Sequence, residues 1–467
     1  MEEQASDMLP PGSRSQEQPE GVSVQSFMRL KRQRELDQFI ASIQEDDILR
    51  LASSYHNGEP CSIFQNPMRG SYNICYFVQF PFQGGGTEKW VVRVPLKPCL
   101  AFGGRNKLEN EIATMQLVAE KTTIPIPKIH AYHLGATTDA GALSSFVILE
   151  YVEGNQLKRS DLRILSDEQR NGIYTSVAVI YIQLRRLEFP AIGGLVRHPD
   201  SFRVGKKTAN IDINDQELAG LRPSLIQASY YREGELKSAD KYVAMLLEIA
   251  DNAFAEGRGT VFKDGQGEKT LYYLHIFRKW VEEWKDRRLD QGPFTLIHGD
   301  LEPYNLIVNE NMDIVSVLDW EWSRVVPRQL FNPPLWLPPE IYLTTLLAFP
   351  TIYNKYLRHF DQFVAIMRIR ERERYGNELL SDEWAEAKKN GGFLVANALE
   401  NSTEINWFAH RFLNHERYRS LEDLDDRVIA FMQEDPDRQT LVTRKRAEHD
   451  ADVAAVRRVQ GTKAPLR

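Results

Sequence analysis

The chain has 467 residues, enough for two or three folded units, with a formal net charge of −7 and 26% charged residues. That acidic balance excludes a global basic surface, and with it nucleic acid as the main partner. Three cysteines, Cys61, Cys75 and Cys99, are odd in number and lack zinc-like spacing, so the expectation is reduced structural thiols in a cytoplasmic protein.

Residues 1–25 are acidic, polar and proline-rich, and cannot bury enough apolar surface to offset the entropy of ordering. Disorder is expected there, and no secretory signal is visible. The basic run from Arg29 to Arg34, beside Phe27 and Leu30, invites comparison with a mitochondrial presequence. Glu2, Glu3, Asp7 and Glu17 argue against one, because such peptides are poor in acids. A helical pattern follows over residues 26–54, with Phe39, Ile43, Ile48 and Leu51 on repeating faces.

Residues 61–96 read as a β-meander, with a turn at 69–73, strands at 74–80 and 90–94, and a flexible glycine turn at 84–86. Arg93 stands between Val92 and Val94, and a cation on so apolar a strand needs an anionic partner. The helix expected over 106–120 carries an apolar stripe at Leu108, Ile112, Met115 and Ala119. Glu111 lies at the edge of that stripe and can reach the sheet, with Glu109 as its rival. Two prolines force 124–127 to be extended, and 146–152 is a buried strand running into Glu153 and Gly154. The lobe boundary is placed here, giving an N-terminal unit over 26–153 and a C-terminal one over 154–432.

Beyond the boundary, Ser166 and Gln169 form a capping box, and Ile173, Val177, Ile180, Leu184 and Leu187 mark one helical face. Residues 200–240 are irregular and polar. Helical periodicity resumes at Tyr242, Met245 and Ile249, and a further helix over 271–288 leads into the most informative stretch.

That stretch, 296–322, reads LIHGDLEPYNLIVNENMDIVSVLDWEW. Two short β-type runs flank the turn Asn309-Glu310-Asn311, and the second run ends on Asp319. A hairpin makes its flanking loops neighbours, so Asp300, Asn305 and Asp319 can converge at one end of a rigid ribbon. Two carboxylates and an amide oxygen are hard donors that suit Mg²⁺ carrying phosphate oxygens. Asp300 and Asn305 stand five apart, as in the D-x-x-x-x-N loop of kinases. Other readings are a metallohydrolase pair in H-x-D, for which His133 and His198 supply no companion cluster, and a plain polar surface hairpin.

Further on, Phe331 and Trp336 sit in a proline-rich segment over 326–339 and would either cage a cation or form core. Asp361, Glu371, Glu373 and Glu404 offer charge for an amine substrate or mark a solvated face. The uncharged run at 341–354 is too short to span a bilayer and contains Pro350, so no membrane partner is expected. Helices through 432 complete the second unit, and 433–467 reads as a charged tail, a helix that frays.

HGDLEPYN and LDWEWS resemble the catalytic loop and the DFG replacement of the aminoglycoside phosphotransferase family, the small-molecule branch of the kinase-like fold that also holds choline kinases. IPIP at 124–127 resembles its IPVP element, and FPAIGGL at 189–195 its F-x-x-I-G-S-L turn, with Gly194 in place of Ser. The resemblance covers about residues 45–420 and is strongest to the fungal-type members. It implies an α+β, bilobal protein-kinase-like fold, with a small β-rich N-terminal lobe, a larger mostly helical C-terminal lobe, and ATP and Mg²⁺ between them.

The resemblance also implies roles. Asp300 orients the acceptor and takes its proton, His298 braces the loop, and Asn305 and Asp319 hold Mg²⁺. Gly70 and Ser71 belong to the phosphate-covering loop, for which an ordinary hairpin turn is the other reading. Arg93, fixed by Glu111, positions phosphates where the family usually has Lys, and Arg is not interchangeable with Lys. Backbone groups of Glu150 and Val152 meet adenine, although a plain central strand fits these residues equally. The expected reaction moves the γ-phosphoryl group of ATP to a hydroxyl of a small molecule. Protein kinase activity is disfavoured, since D-F-G and A-P-E are absent. The alternative is a nucleotide-binding scaffold without turnover, which Arg93 favours.

Overall fold

In a computed structural model, the chain is described over residues 24–81, 86–135, 141–205, 210–338, 343–412 and 423–461. The expected N-terminal disorder (up to residue 23), most of the glycine turn and the last residues of the tail lie outside these. Val24 and Gln25, counted above with the disordered end, already begin a helix.

That helix, α1 (Val24–Ala41), and α2 (Glu45–Ser54) precede an antiparallel sheet. The sheet holds β1 (Ser62–Arg69), β2 (Asn73–Pro81) and β3 (Thr87–Pro95). After α3 (Arg105–Lys121), β4 (Ile129–His133) and β5 (Phe146–Glu150) complete it in the order β1-β2-β3-β5-β4. β4 was not anticipated, since IHAYH shows only weak alternation. The twofold side-chain alternation of a strand divides β3 cleanly. Trp90, Val92 and Val94 join Ile74, Val78 and Ile148 in a core that also takes Ile48 and Ala52 of α2. Arg93, opposite Cys75 and Val147, points to the other face. There α3 lies, burying Leu108, Ile112 and Met115 but leaving Ala119 exposed.

The second lobe is mostly helical. Its first long helix is α4 (Asp167–Arg185), where Ser166 Oγ accepts from Gln169 N at 3.2 Å and Gln169 Oε1 from Ser166 N at 3.1 Å. The stretch expected to be irregular contains α5 (Ile211–Leu218) and α6 (Pro223–Tyr230). Each has only eight residues, too short for a period to stand out, and the α5 start depends on Asn210 accepting from Ile213 N at 2.7 Å. Then come α7 (Ala239–Glu256), α8 (Gln266–Trp284) and β6 (Phe294–Ile297). The hairpin β7 (Leu306–Val308) and β8 (Ile314–Val317) follows, and then β9 (Arg324–Val326), antiparallel to β6.

Among later elements, α9 (Pro350–Tyr375) packs on α4, and α10 (Pro436–Gly461) runs back along α8 to touch α1. The tail is thus a packed helix over its described length. Phe331 and Trp336 are core: Phe331 stacks on Trp384 at 6.0 Å, and Trp336 Nε1 donates to Leu301 O at 2.6 Å. Glu371 is buried and accepts from Leu380 N and Ser381 N at 3.0 and 2.9 Å, and Asp361 pairs with Lys388. These acids brace helices rather than face a substrate. No helix among the described residues is long and apolar enough to cross a membrane.

Just past the lobe boundary, Asn155 and Gln156 pair with β7 and anchor the crossing chain to the second lobe. Gly154 makes this approach possible: its φ is +145°, and a Cβ there would lie 2.6 Å from Ile307 Cγ2 and 2.7 Å from Val308 O. Gly172, by contrast, is exposed within α4 with open space around it. Gly154→Ala is therefore expected to cost about 1–3 kcal/mol. Gly172→Ala should add up to about 1 kcal/mol. Urea unfolding midpoints of the two variants read this out. Equal shifts would show that the lobe junction does not need a glycine.

Candidate active site

The loop after β6 is held from several sides. His298 is 2% exposed, lies against Trp320 with ring centroids 4.5 Å apart, and its Nε2 donates to Leu318 O at 2.9 Å. Its Nδ1 is then the acceptor for Asp300 N–H at 3.3 Å. Burial pushes this imidazole down to about 4, so at neutral pH it is an uncharged strut. Gly299, at φ +83°, lets the loop pass so close to Trp322 that a Cβ would sit 2.0 Å from its carbonyl oxygen. Asn305 closes the turn, with Nδ2 donating to Asp300 O at 2.7 Å and to Asp300 Oδ2 at 3.2 Å. Leu318 N–H donates to Asn305 O at 2.8 Å, which stitches the loop to β8. Asp319 follows in left-handed backbone, φ +62°. For an Asp this costs little, and it turns the carboxylate back toward the first lobe.

A cleft of about 920 Å³ between the lobes is lined by Gly70, Arg93, Glu111, Glu150, Val152, Asn305 and Asp319. Ser71 is exposed on its turn and is not part of that lining, His298 is buried behind the loop, and Asp300 touches the cleft through Asn305. Arg93 is 6% exposed and forms an ion pair with Glu111, itself 2% exposed, while its Nη1 donates to Asp319 Oδ1 at 3.2 Å. Glu109 lines a separate cavity on the far side of α3. Burial lifts the Asp300 carboxyl to about 6, partly offset by hydrogen bonds from Tyr304 and Asn305. Burial and then the charge of Glu321 raise Asp319 further.

Glu321 escaped the sequence reading. It is 4% exposed, accepts from Asn73 Nδ2 at 2.9 Å, and pairs with Lys107. Lys107 Nζ in turn lies 4.0 Å from the Trp322 ring centre and 4.8 Å from that of Tyr72. The signals were present but faint: Lys107 stands one helical turn before Glu111, and Glu321 two residues after Asp319. Taken together, the carboxylates of Asp300, Glu302, Glu111, Asp319 and Glu321 outnumber the cations Arg93, Lys107 and Arg159 beside them, an excess of negative charge in a partly dry site. A divalent cation held by Asn305 Oδ1 and Asp319 fits that excess, because the Asn305 amide nitrogen is already spent on Asp300.

The sequence pattern of the phosphotransferase enzyme family matches residues 77–329. The Kluyveromyces lactis protein named altered inheritance of mitochondria protein 9, mitochondrial, is 23% identical over 303 residues, covering 55% of this chain and 48% of its own. Clavilactone A biosynthesis cluster protein Y of Ampulloclitocybe clavipes is 25% identical over 239 residues, covering 50% and 54%. The chain spans about half the length of the curated relatives it matches. Among solved structures, aminoglycoside phosphotransferase APH(4)-Ia aligns over 88% of this chain and 99% of its own at 14% identity, with a TM-score of 0.41.

These names correct one expectation. The relatives from Kluyveromyces lactis, Meyerozyma guilliermondii and Zygosaccharomyces rouxii are named as mitochondrial, which points there rather than to the cytoplasm. Free thiols do not separate the two locations, because neither demands disulfides.

His298 yields a test of the buried strut. Its folded value, about 4, lies below the ordinary 6.5, so its stabilisation is fully present above pH 6.5 and drains as pH falls toward 4. The loss should reach about 3 kcal/mol. His298→Gln keeps a donor for Leu318 O but cannot titrate, and should flatten the wild-type fall in urea midpoint over that window. Parallel pH slopes for the two proteins would show that the imidazole is not neutral.

Proposed function

The chain belongs to the phosphotransferase enzyme family, and from that premise we propose that it moves the γ-phosphoryl group of ATP to a hydroxyl of a small molecule. One observation carries the reading. The HGD loop and the hairpin bring Asn305 and Asp319 into the cleft lining that Arg93 and Glu111 share from the other lobe, with Asp300 directly behind Asn305, and that supports this reading.

In this reading the adenine lies against Phe77, Val91 and Leu149. Glu150 N–H already donates to Lys128 O at 2.9 Å, so its carbonyl is the group offered to the base, together with the backbone of Val152 just beyond the strand. The turn that carries Gly70 and Ser71 lies over the phosphates; the Gly70 N–H already donates to Asn73 O at 2.8 Å, so the Ser71 N–H is the donor this turn offers them. Arg93, held by Glu111, binds the α and β phosphates with a planar fork in place of a point charge. Asn305 and Asp319 hold Mg²⁺, which when bound neutralises charge on the transferring phosphoryl group. Asp300 orients the acceptor hydroxyl and takes its proton. A carboxyl near 6 is mostly ionised at neutral pH, as that role requires. His298, uncharged and facing the hairpin, braces the loop.

A second reading rests on the 3.2 Å contact between Arg93 and Asp319. If that contact persisted with nucleotide present, it would compete with the metal and leave a nucleotide-binding scaffold without turnover.

Asp300→Asn should lower turnover by about 10²-fold or more while sparing Mg·ATP binding. Asp319→Asn removes a full charge from the metal site and should weaken both. Thermal shift with Mg·ATP reports binding, and ADP release with hydroxylated amines, sugars and aminoglycosides reports turnover. A wild-type shift without ADP release on any of these acceptors would favour the scaffold. No shift in either wild type or Arg93→Lys would sink both readings.

A further inference from the structure

We propose that Tyr304 is itself a phosphoryl acceptor, phosphorylated by the loop on which it stands; this rests on the phosphotransfer reading above. The Tyr304 hydroxyl donates to the two carboxylate oxygens of Asp300, at 3.0 Å to Oδ1 and 3.2 Å to Oδ2. A small-molecule hydroxyl must make this same bond to this same carboxylate before transfer. The place of the acceptor hydroxyl is therefore taken by a side chain of the protein.

The surrounding loop keeps it there. Trp336 Nε1 holds Leu301 O at 2.6 Å, Arg159 holds the Glu302 carboxylate at 2.7 Å, and Gln156 Nε2 donates to Tyr304 O. With the main chain pinned at successive residues, the hydroxyl can leave Asp300 only by side-chain rotation. The ring is not sealed in, since Tyr304 is 41% exposed. The next residue, Asn305, lines the nucleotide cleft, so the phosphates come to this end of the loop. A hydroxyl held against the base in the same molecule reacts without a binding step, an advantage that reaches many orders of magnitude in effective concentration.

The step balances as an ordinary phosphoryl transfer. Tyr304 Oη forms a bond to the γ-phosphorus of ATP as the bond from that phosphorus to its bridging oxygen breaks. ADP leaves with the electron pair, and the phenolic proton passes to Asp300. The product sets a phosphate against Asp300 and Glu302, where an incoming acceptor would otherwise dock. A small molecule that displaces Tyr304 from Asp300 is thus in competition with self-modification.

The test uses the full chain with Mg·ATP and no added acceptor, followed by mass-spectrometric mapping of phosphotyrosine. Labelling should approach one phosphoryl group per chain, at a first-order rate independent of protein concentration. Tyr304→Phe should lose the label, and Asp300→Asn should slow it by about 10²-fold or more, with both variants retaining the Mg·ATP thermal shift. ADP release to an added small-molecule acceptor, with Tyr304 staying unlabelled when no acceptor is present, would overturn this inference and leave the phosphotransferase reading standing. So would a label elsewhere, or a rate rising with protein concentration. Neither label nor ADP release under any condition would overturn both.

Discussion

A guanidinium buried between two carboxylates ties this molecule together. Arg93 comes from the sheet, Glu111 from α3 and Asp319 from the hairpin, so one side chain joins three elements and both lobes. Such a cluster is poor evidence for net stability, because desolvating three charges consumes most of the attraction they recover. Its effect is on geometry. Removing one partner would leave an uncompensated buried charge at a cost of about 3–5 kcal/mol, so arrangements that misplace any of the three are disfavoured. Lys107 and Glu321 repeat the device one turn along α3, with Asn73 joining from the edge of the turn at 69–73. The helix is thereby fixed to the catalytic hairpin at two points.

The hairpin side depends on backbone conformations that few residues tolerate. Gly299 passes under the Trp322 carbonyl where no Cβ fits, and Asp319 takes the left-handed region to aim its carboxylate across the cleft. The neutral His298 strut links the two, joining the loop to the residue before Asp319. The outcome is a rigid acidic end on one lobe facing a cationic fork on the other. Within the cleft one end is apolar, at Phe77, Val91 and Leu149, and the other is charged, at Arg93, Glu111 and Asp319, which suits a molecule with an aromatic head and an anionic tail.

Several side chains that could have met a substrate are committed elsewhere. Phe331 and Trp336, aromatic residues that might have stacked on a substrate, are spent on the core and on holding Leu301. Glu371 and Asp361, acids that might have met an amine, are spent on helices. What remains next to Asp300 is Tyr304, and its hydroxyl already occupies the carboxylate. In the proposed reaction, selectivity for an acceptor begins with its ability to compete with a hydroxyl that the chain supplies.

The amino-acid order alone determined those features that act over a few residues. The five-residue step from Asp300 to Asn305, the hairpin that follows, the twofold alternation of β3 and the capping box at Ser166 all express local geometry, and local geometry is written locally. The bilobal α+β fold was expected from the resemblance carried by HGDLEPYN and LDWEWS, and the meander followed by periodic helices agrees with it. Tertiary structure decided the rest. It chose Glu111 over Glu109, paired Lys107 with Glu321 across 214 positions, and set Trp336 on Leu301. It also built α5 and α6 from stretches too short to show a period. None of these follows from spacing, because each depends on which buried polar group lacked a partner once the lobes had closed, and that is known only when distant parts of the chain lie side by side.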